Sequence, residues 1–218
     1  MNKLDNTGVA LLEPASNKEK VVNRHVLITG LGRGGTTAMA QVFKAFGFIF
    51  DNPNSFMESP ELKGFFLNVN TQNLTEKLNE WQTSGARHAW KDPKLSSING
   101  RDFLTTLPSN IATVIIFRDL IATSLRDSSV MGGSFLTSLE RYTVGMSKLV
   151  NMSKQLRENR TVVLVSYEKL LVNTETVINE LASIFEITET DKIAQAISAI
   201  VVSPKSYLAA CKESVSGK

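Results

Sequence analysis

The sequence predicts an α/β fold: a three-layer α/β/α arrangement with a central, mostly parallel sheet. Three observations carry the prediction. Short apolar runs (Val26 to Thr29, Ile111 to Phe117, Thr161 to Ser166) alternate with longer segments whose apolar residues recur at three and four. The short runs are mostly apolar instead of alternating with polar residues, as expected of strands covered on both faces. The residues best suited to chemistry fall just after these runs, where ligands bind in folds of this kind.

Composition narrows the class. The chain has 218 residues, 42% hydrophobic and 21% charged, which excludes a mostly disordered protein. The formal charge of +3 comes with no block of lysine and arginine, so nucleic acid is not an expected partner. A single cysteine, Cys211, excludes an intramolecular disulfide and any multi-cysteine metal site. No apolar run approaches the ~20 residues of a membrane span. Val9-Ala10-Leu11-Leu12 is cut off by Glu13 and Pro14, short of a secretory signal, and a cytoplasmic protein is expected. Residues 1–23 read as a flexible arm, 24–202 as the α/β domain and 203–218 as a C-terminal tail.

The elements follow in order. His25 to Thr29 is a buried strand that runs into Gly30-Leu31-Gly32-Arg33-Gly34-Gly35-Thr36-Thr37, and a helix carrying Met39, Val42, Phe43 and Phe46 stops at Gly47. Asn52 to Ser55 is a loop. Ser59, Pro60 and Glu61 mark a helix start with cap, first-turn proline and first-turn acid. The positions Leu62, Phe65, Phe66, Val69, Leu74, Leu78 and Trp81 then give that helix one buried face. Arg87 to Trp90 is a short strand ending in Lys91-Asp92-Pro93, and Ile111 to Phe117 is the clearest buried strand, followed by Arg118-Asp119 and a helical pattern. A long amphipathic helix carries Phe135, Leu139, Tyr142, Met146 and Leu149. Thr161 to Ser166 is a strand, Asn173 can cap a helix with Val177, Leu181 and Phe185, and a last helix spans the 190s. Phe43, Phe46, Phe48 and Phe50 are expected in the core.

A strand that turns through glycines into a helix gathers backbone N–H groups and the positive helix end around one point, an anion site. The glycines let the backbone curl around a bulky anion; Thr36 and Thr37 add hydroxyls and Arg33 a charge. Gly30 and Gly35 have the spacing of the nucleotide-binding pattern GxxxxGK[ST], but Thr36 stands where that pattern has lysine. This counts against a nucleoside-triphosphate hydrolase.

The loop resembles the 5′-phosphosulfate loop of sulfotransferases, roughly Gly-x-x-Arg/Lys-Ser-Gly-Thr-Thr, through Gly30, Arg33, Gly35, Thr36 and Thr37, with Gly34 in place of serine. Phe56 to Leu62 and Trp90 to Ser96 are similar to the acceptor side of bacterial sulfotransferase-like proteins. Val114 to Asp119 is similar to the strand whose arginine holds the donor's 3′-phosphate. Val163 to Leu171 is similar to the family's Tyr-Glu-Asp-Leu segment, with Lys169 for aspartate. The four occur in family order over residues 26–186. The resemblance implies a P-loop NTPase-like fold and an enzyme that uses 3′-phosphoadenosine 5′-phosphosulfate as co-substrate to sulfate a hydroxyl or amine of a small molecule or glycan, with no metal expected. A P-loop kinase with a degenerate loop and a non-catalytic nucleotide-binding module are the alternatives.

The resemblance also implies roles. Gly32, Gly34, Gly35, Thr36 and Thr37 would hold the 5′ end, Arg33 would meet charge on the leaving oxygen, and Lys91 would sit by the transferring group. Pro93 stands where cytosolic members carry a histidine base, so Glu58, matching the glutamate of heparan-sulfate-type enzymes, is the first candidate base, ahead of Asp92 and Glu61. His88 falls on the opposite strand face from Lys91 and ranks low. Arg118 would hold the 3′-phosphate with Ser124 or Arg126, the latter standing at the usual serine position. The family's C-terminal glycine-rich loop has no counterpart in the tail.

Overall fold

The computed structural model describes residues 6–14, 25–62, 71–93, 95 and 107–201. Within them the elements run β1 (Val9–Leu12), β2 (His25–Gly30), α1 (Thr36–Ala45), α2 (Thr71–Thr83), β3 (Ala89–Lys91), β4 (Ile111–Phe117), α3 (Leu120–Met131), α4 (Phe135–Leu156), β5 (Val162–Ser166), α5 (Tyr167–Val172), α6 (Thr174–Ile184) and α7 (Thr190–Val201). The strands form one sheet in the order β1-β5-β4-β2-β3, parallel except for β1, which pairs antiparallel with β5. This is the expected α/β architecture with a central, mostly parallel sheet.

Alternation along each strand divides the core into two layers. Val26, Ile28, Ala112, Val114, Ile116, Val163 and Val165 face α1, α6 and α7, where Met39, Phe43, Leu181 and Ile200 meet them. Leu27, Trp90, Ile111, Ile115 and Val162 face the other way, toward Leu74, Leu78 and Trp81 of α2 and Leu149, Met152 and Leu156 of α4. Phe43 packs edge-on against Phe46, Phe48 and Phe185, at centroid separations of 5.8, 5.1 and 4.9 Å, so the expected phenylalanine core forms.

Two details differ from the sequence reading. The arm assigned to residues 1–23 contains β1, because Val9–Leu12 gains backbone partners only by pairing with Val162–Val165 at the sheet edge. Helix α1 starts at Thr36 with Gly35 as its cap, and Asn173 occupies the cap position of α6 but makes no side-chain bond to it. Ser59 does cap the turn at residues 60–62, its Oγ accepting from Leu62 N–H at 3.3 Å. Leu62, Leu74, Leu78 and Trp81 share one buried cluster; Phe65, Phe66 and Val69 lie outside the described residues, as does the tail 203–218.

At the amino edge of the sheet Arg160 is fully buried. Its Nη2 donates to Leu107 O at 2.8 Å, Nη1 to Pro108 O at 3.4 Å and Nε to Asn159 Oδ1 at 3.1 Å, joining the turns that feed β4 and β5. Burial pushes its pKa down to about 10, so it stays charged at neutral pH. Arg160→Ala leaves those acceptors unpaired beside a cavity. We expect a loss of about 3 kcal/mol in urea-unfolding stability, only partly recovered by Arg160→Lys, whose single ammonium cannot span both turns.

Candidate functional site

Register lines up the carboxyl ends of the parallel strands: Gly30 pairs with Ile116, Ile28 with Lys91 and Phe117 with Ser166. The residues that follow, the glycine loop, Asp92, Arg118 and Tyr167, therefore form one row. Helix α1 leaves β2 toward one face of the sheet, and α4, after β4, packs on the other. The exits diverge between β2 and β4 and leave a crevice there, the place where ligands bind in open α/β sheets.

The loop crosses the mouth of this crevice. Gly34 N–H donates to Leu31 O at 2.9 Å, Arg33 has φ 64° and Gly35, the α1 cap, has φ 97°. Helix α1 has no side-chain cap and no acidic residue in its first turn, which suits its N-terminal N–H groups to an anion. Three of the glycines answer to the protein rather than to a ligand. A Cβ on Gly30 would lie 2.8 Å from Ile116 O, one on Gly34 2.7 Å from Leu31 O, and one on Gly35 2.2 Å from the Tyr167 ring. Only the Gly32 side stays open, with Tyr142 Oη 3.8 Å from where its Cβ would be.

On one flank of the loop sits Lys91, 2% exposed. Its Nζ donates to Thr37 Oγ1 at 3.1 Å, Phe56 O at 2.7 Å and Glu58 Oε1 at 3.2 Å. Glu58 is delivered by a loop tied at Asn54, whose Oδ1 accepts from Phe56 N–H at 2.9 Å and Glu58 N–H at 3.0 Å. Met57, with φ 62°, anchors the same loop in the core. Thus Thr37, Glu58 and Lys91, chosen from three separate stretches of sequence, meet around one ammonium. Asp92 is buried beside them, its N–H bonded to Ile28 O at 3.0 Å, while Glu61 is exposed beyond Pro60. Phe56 itself is 60% exposed, unlike the phenylalanines before it in the core.

On the other flank Arg118 is buried, with Nη1 donating to Arg33 O at 2.6 Å and the guanidinium 4.7 Å over the Tyr167 ring. Asp119 caps α3, its Oδ1 accepting from Ala122 N–H at 2.8 Å, and its own N–H donates to Glu168 Oε1 at 3.0 Å. Arg33 is exposed at the loop tip, Nη2 4.0 Å from Met131 Sδ. Arg126 is half-buried on α3. Ser124 is fully buried, and its Oγ donates to Leu120 O at 2.6 Å, so its hydroxyl is engaged with its own helix. His88 is remote from Lys91, stacked on Trp81 at 5.0 Å near the amino edge, with Ser84 Oγ 3.1 Å from its Nε2.

Sequence reasoning did not find the polar interior between α3 and α4. Asp127, 6% exposed, takes bonds from Ser138 Oγ at 3.0 Å, Tyr142 Oη at 3.0 Å and Arg141 Nη2. Helix α3 is inverted: it buries Thr123, Ser124 and Asp127 and exposes Ile121, Leu125, Val130 and Met131. Nothing in apolar spacing signals such a helix. Tyr167 was within reach of the sequence through the Tyr-Glu segment, but its position against Gly35 was not.

Among solved structures the chain is similar to the sulfotransferase domain of the Synechococcus PCC 7002 olefin synthase, with a TM-score of 0.60 at 13% identity over 94% of this chain and 92% of that one. It is also similar to the sulfotransferase domain of the curacin biosynthetic pathway, with a TM-score of 0.50 at 14% identity over 78% of this chain and 76% of that one. No family model and no curated protein matches the sequence. The chain has the fold of a sulfotransferase domain.

Burial, then the bond to Asp127 and its charge, push the Tyr142 hydroxyl up to about 12, against a smaller opposing effect of Arg141 and Arg33. In a 295 nm titration one of the three tyrosines is therefore expected to stay protonated until about pH 12, and Asp127→Asn should bring it down. Because the unfolded chain ionises this group near pH 10, it removes stability as pH rises from about 10 to 12 and contributes no change at neutral pH.

Proposed function

We propose that this chain, built on a sulfotransferase-type fold, transfers a sulfuryl group from 3′-phosphoadenosine 5′-phosphosulfate to a hydroxyl or amine of a small molecule or glycan. The observation that carries the reading is the convergence of Thr37, Lys91 and Glu58 beside an uncapped helix N-terminus. It gathers an anion cradle, a buried cation and a carboxylate within one group's reach. The fit to the nucleotide rests on the glycine loop, whose N–H groups at residues 35–37 suit a 5′-phosphosulfate, Gly34 N–H being bonded to Leu31 O, with Arg33 exposed at the loop tip and Arg118 one strand away. The bound donor supplies an activated sulfuryl group.

The roles follow from chemistry. Glu58 takes the proton of the acceptor as the new S–O or S–N bond forms and the bond to the 5′-phosphate breaks. Lys91 balances negative charge on the sulfuryl oxygens, and Thr37 and Phe56 O hold its ammonium in place. Arg33 and the loop N–H groups receive the charge left on the 5′-phosphate, so most of the protein's contribution is position and fixed charge. Asp92 is the second candidate for the proton. Arg118, with Arg126 or Ser124, is the proposed 3′-phosphate end. For Ser124 that role requires giving up its bond to Leu120 O.

Calorimetric titration with 3′-phosphoadenosine 5′-phosphate should show binding about ten- to a hundred-fold tighter than 5′-AMP, the worth of charged hydrogen bonds to one phosphate. Magnesium-dependent ATP binding without it would instead favour a kinase. Once an acceptor is found, Glu58→Gln should lower kcat by about 10²–10⁴ while leaving nucleotide affinity unchanged. Equal turnover in Glu58→Gln would move the proton to Asp92.

A further inference from the structure

We infer that Tyr167 and Arg118 form a clamp that sets the shape of the glycine loop before any nucleotide arrives, making Tyr167 a positioning residue for the anion site. Which anion the loop takes rests on the function proposed above; the clamp does not.

Two backbone conformations decide where the loop N–H groups point: one costs free energy on its own, and the other is open to glycine but is covered so closely that no side chain fits. Arg33 is a non-glycine residue in the left-handed region at φ 64°, and Gly35 turns into α1 at φ 97°. Each is met by one half of the clamp. The Arg33 carbonyl receives Arg118 Nη1 at 2.6 Å, a part-buried, charge-assisted bond. Gly35 is covered by the Tyr167 ring so closely that a Cβ there would lie 2.2 Å from Cδ2 and 2.4 Å from Cε2.

The halves are joined, because the Arg118 guanidinium lies 4.7 Å over that same ring and both side chains are 5% exposed. The ring thus lies in contact with both a cation and the backbone of the loop. Its own position is fixed from behind. Ser166 Oγ caps α5 by accepting from Lys169 N–H at 3.3 Å, and Glu168 Oε1 accepts from Asp119 N–H at 3.0 Å. The Arg-Asp after β4 and the Tyr-Glu after β5 are therefore interlocked pairs that brace the loop after β2. A loop held in this way offers its donors to an anion without first being ordered.

The test is hydrogen exchange on the free protein, read on a peptide covering residues 31–37 against peptides from β2 and β4. Arg118→Lys keeps the charge but loses the planar stack, and Tyr167→Leu keeps burial but loses the ring. Each should speed exchange in 31–37 by about ten-fold, from a weakened charged bond to Arg33 O in Arg118→Lys and from the lost cation–π contact and loop cover in Tyr167→Leu, with the strands unchanged. Tyr167→Phe, which retains the ring, should match the wild type. Unchanged exchange in the loop, or a rise shared equally by the strands, overturns the clamp. Tyr167→Leu, which leaves the proposed 3′-phosphate end untouched, should weaken 3′-phosphoadenosine 5′-phosphate and 5′-AMP by one common factor, while Arg118→Lys should weaken both and the 3′-phosphorylated nucleotide further. Unchanged 5′-AMP affinity in both variants would confine the pair to the 3′-phosphate and overturn the clamp. Failure of the wild type to bind either nucleotide would count against the proposed function and leave the exchange result standing.

Discussion

Strands β2 and β4 lie side by side, each buried on both faces, and the segments that leave them must go to opposite sides of the sheet. That constraint creates the crevice and decides what can stand in it. The loop after β2 is stretched across the gap because α1 has to reach the layer of Phe43 and Leu181. Arg118 is placed beside the loop because β4 ends one residue after Ile116, the register partner of Gly30. Lys91 comes from the far side, where β3 pairs with β2 and directs its last side chain into the α1 layer. A change in register of one residue would turn Lys91 to the opposite face.

The polar groups at this edge are mostly spent on one another. Lys91 is shared among a hydroxyl, a carbonyl and a carboxylate, and Arg118 binds a carbonyl and an aromatic face. Buried charges need such partners, since an unpaired ammonium or guanidinium out of water costs several kcal/mol. The consequence for function is rigidity: the same bonds that make burial tolerable hold the loop, Glu58 and the helix end at fixed separations. Arg33 differs from these, lying exposed at the loop tip with Met131 beside it.

Helix α3 shows how far the local pattern can depart from the final packing. Its apolar residues at 121, 125, 130 and 131 face outward, while Thr123, Ser124 and Asp127 turn inward. The inversion is stable because each buried group has a bond: Thr123 and Ser124 to carbonyls of the preceding turn, and Asp127 to Ser138, Arg141 and Tyr142 across the hairpin. The polar core of this hairpin lies next to Gly32, so the glycine loop is bordered by polar groups on the α4 side and by Lys91 on the other.

Much of this was legible in the sequence, because the central strands are mostly apolar runs and their boundaries carry glycine, proline and charged residues. The parallel sheet, the loop-to-helix turn, the cap at Ser59 and the burial of the first three phenylalanines all follow from period and punctuation. The candidates Thr37, Glu58 and Lys91 were also legible as residue types at strand ends and in a resemblance. That they meet was not, since the separation of 54 residues from Thr37 to Lys91 is closed by the pairing of β3 with β2. The roles of Gly35 and Ser124 could not be read either. A glycine looks the same whether it makes room for a ligand or for Tyr167, and a serine the same whether it faces a phosphate or its own helix. Local chemistry determined the elements and the kinds of group available; long-range register and the competition of side chains for burial decided which groups touch.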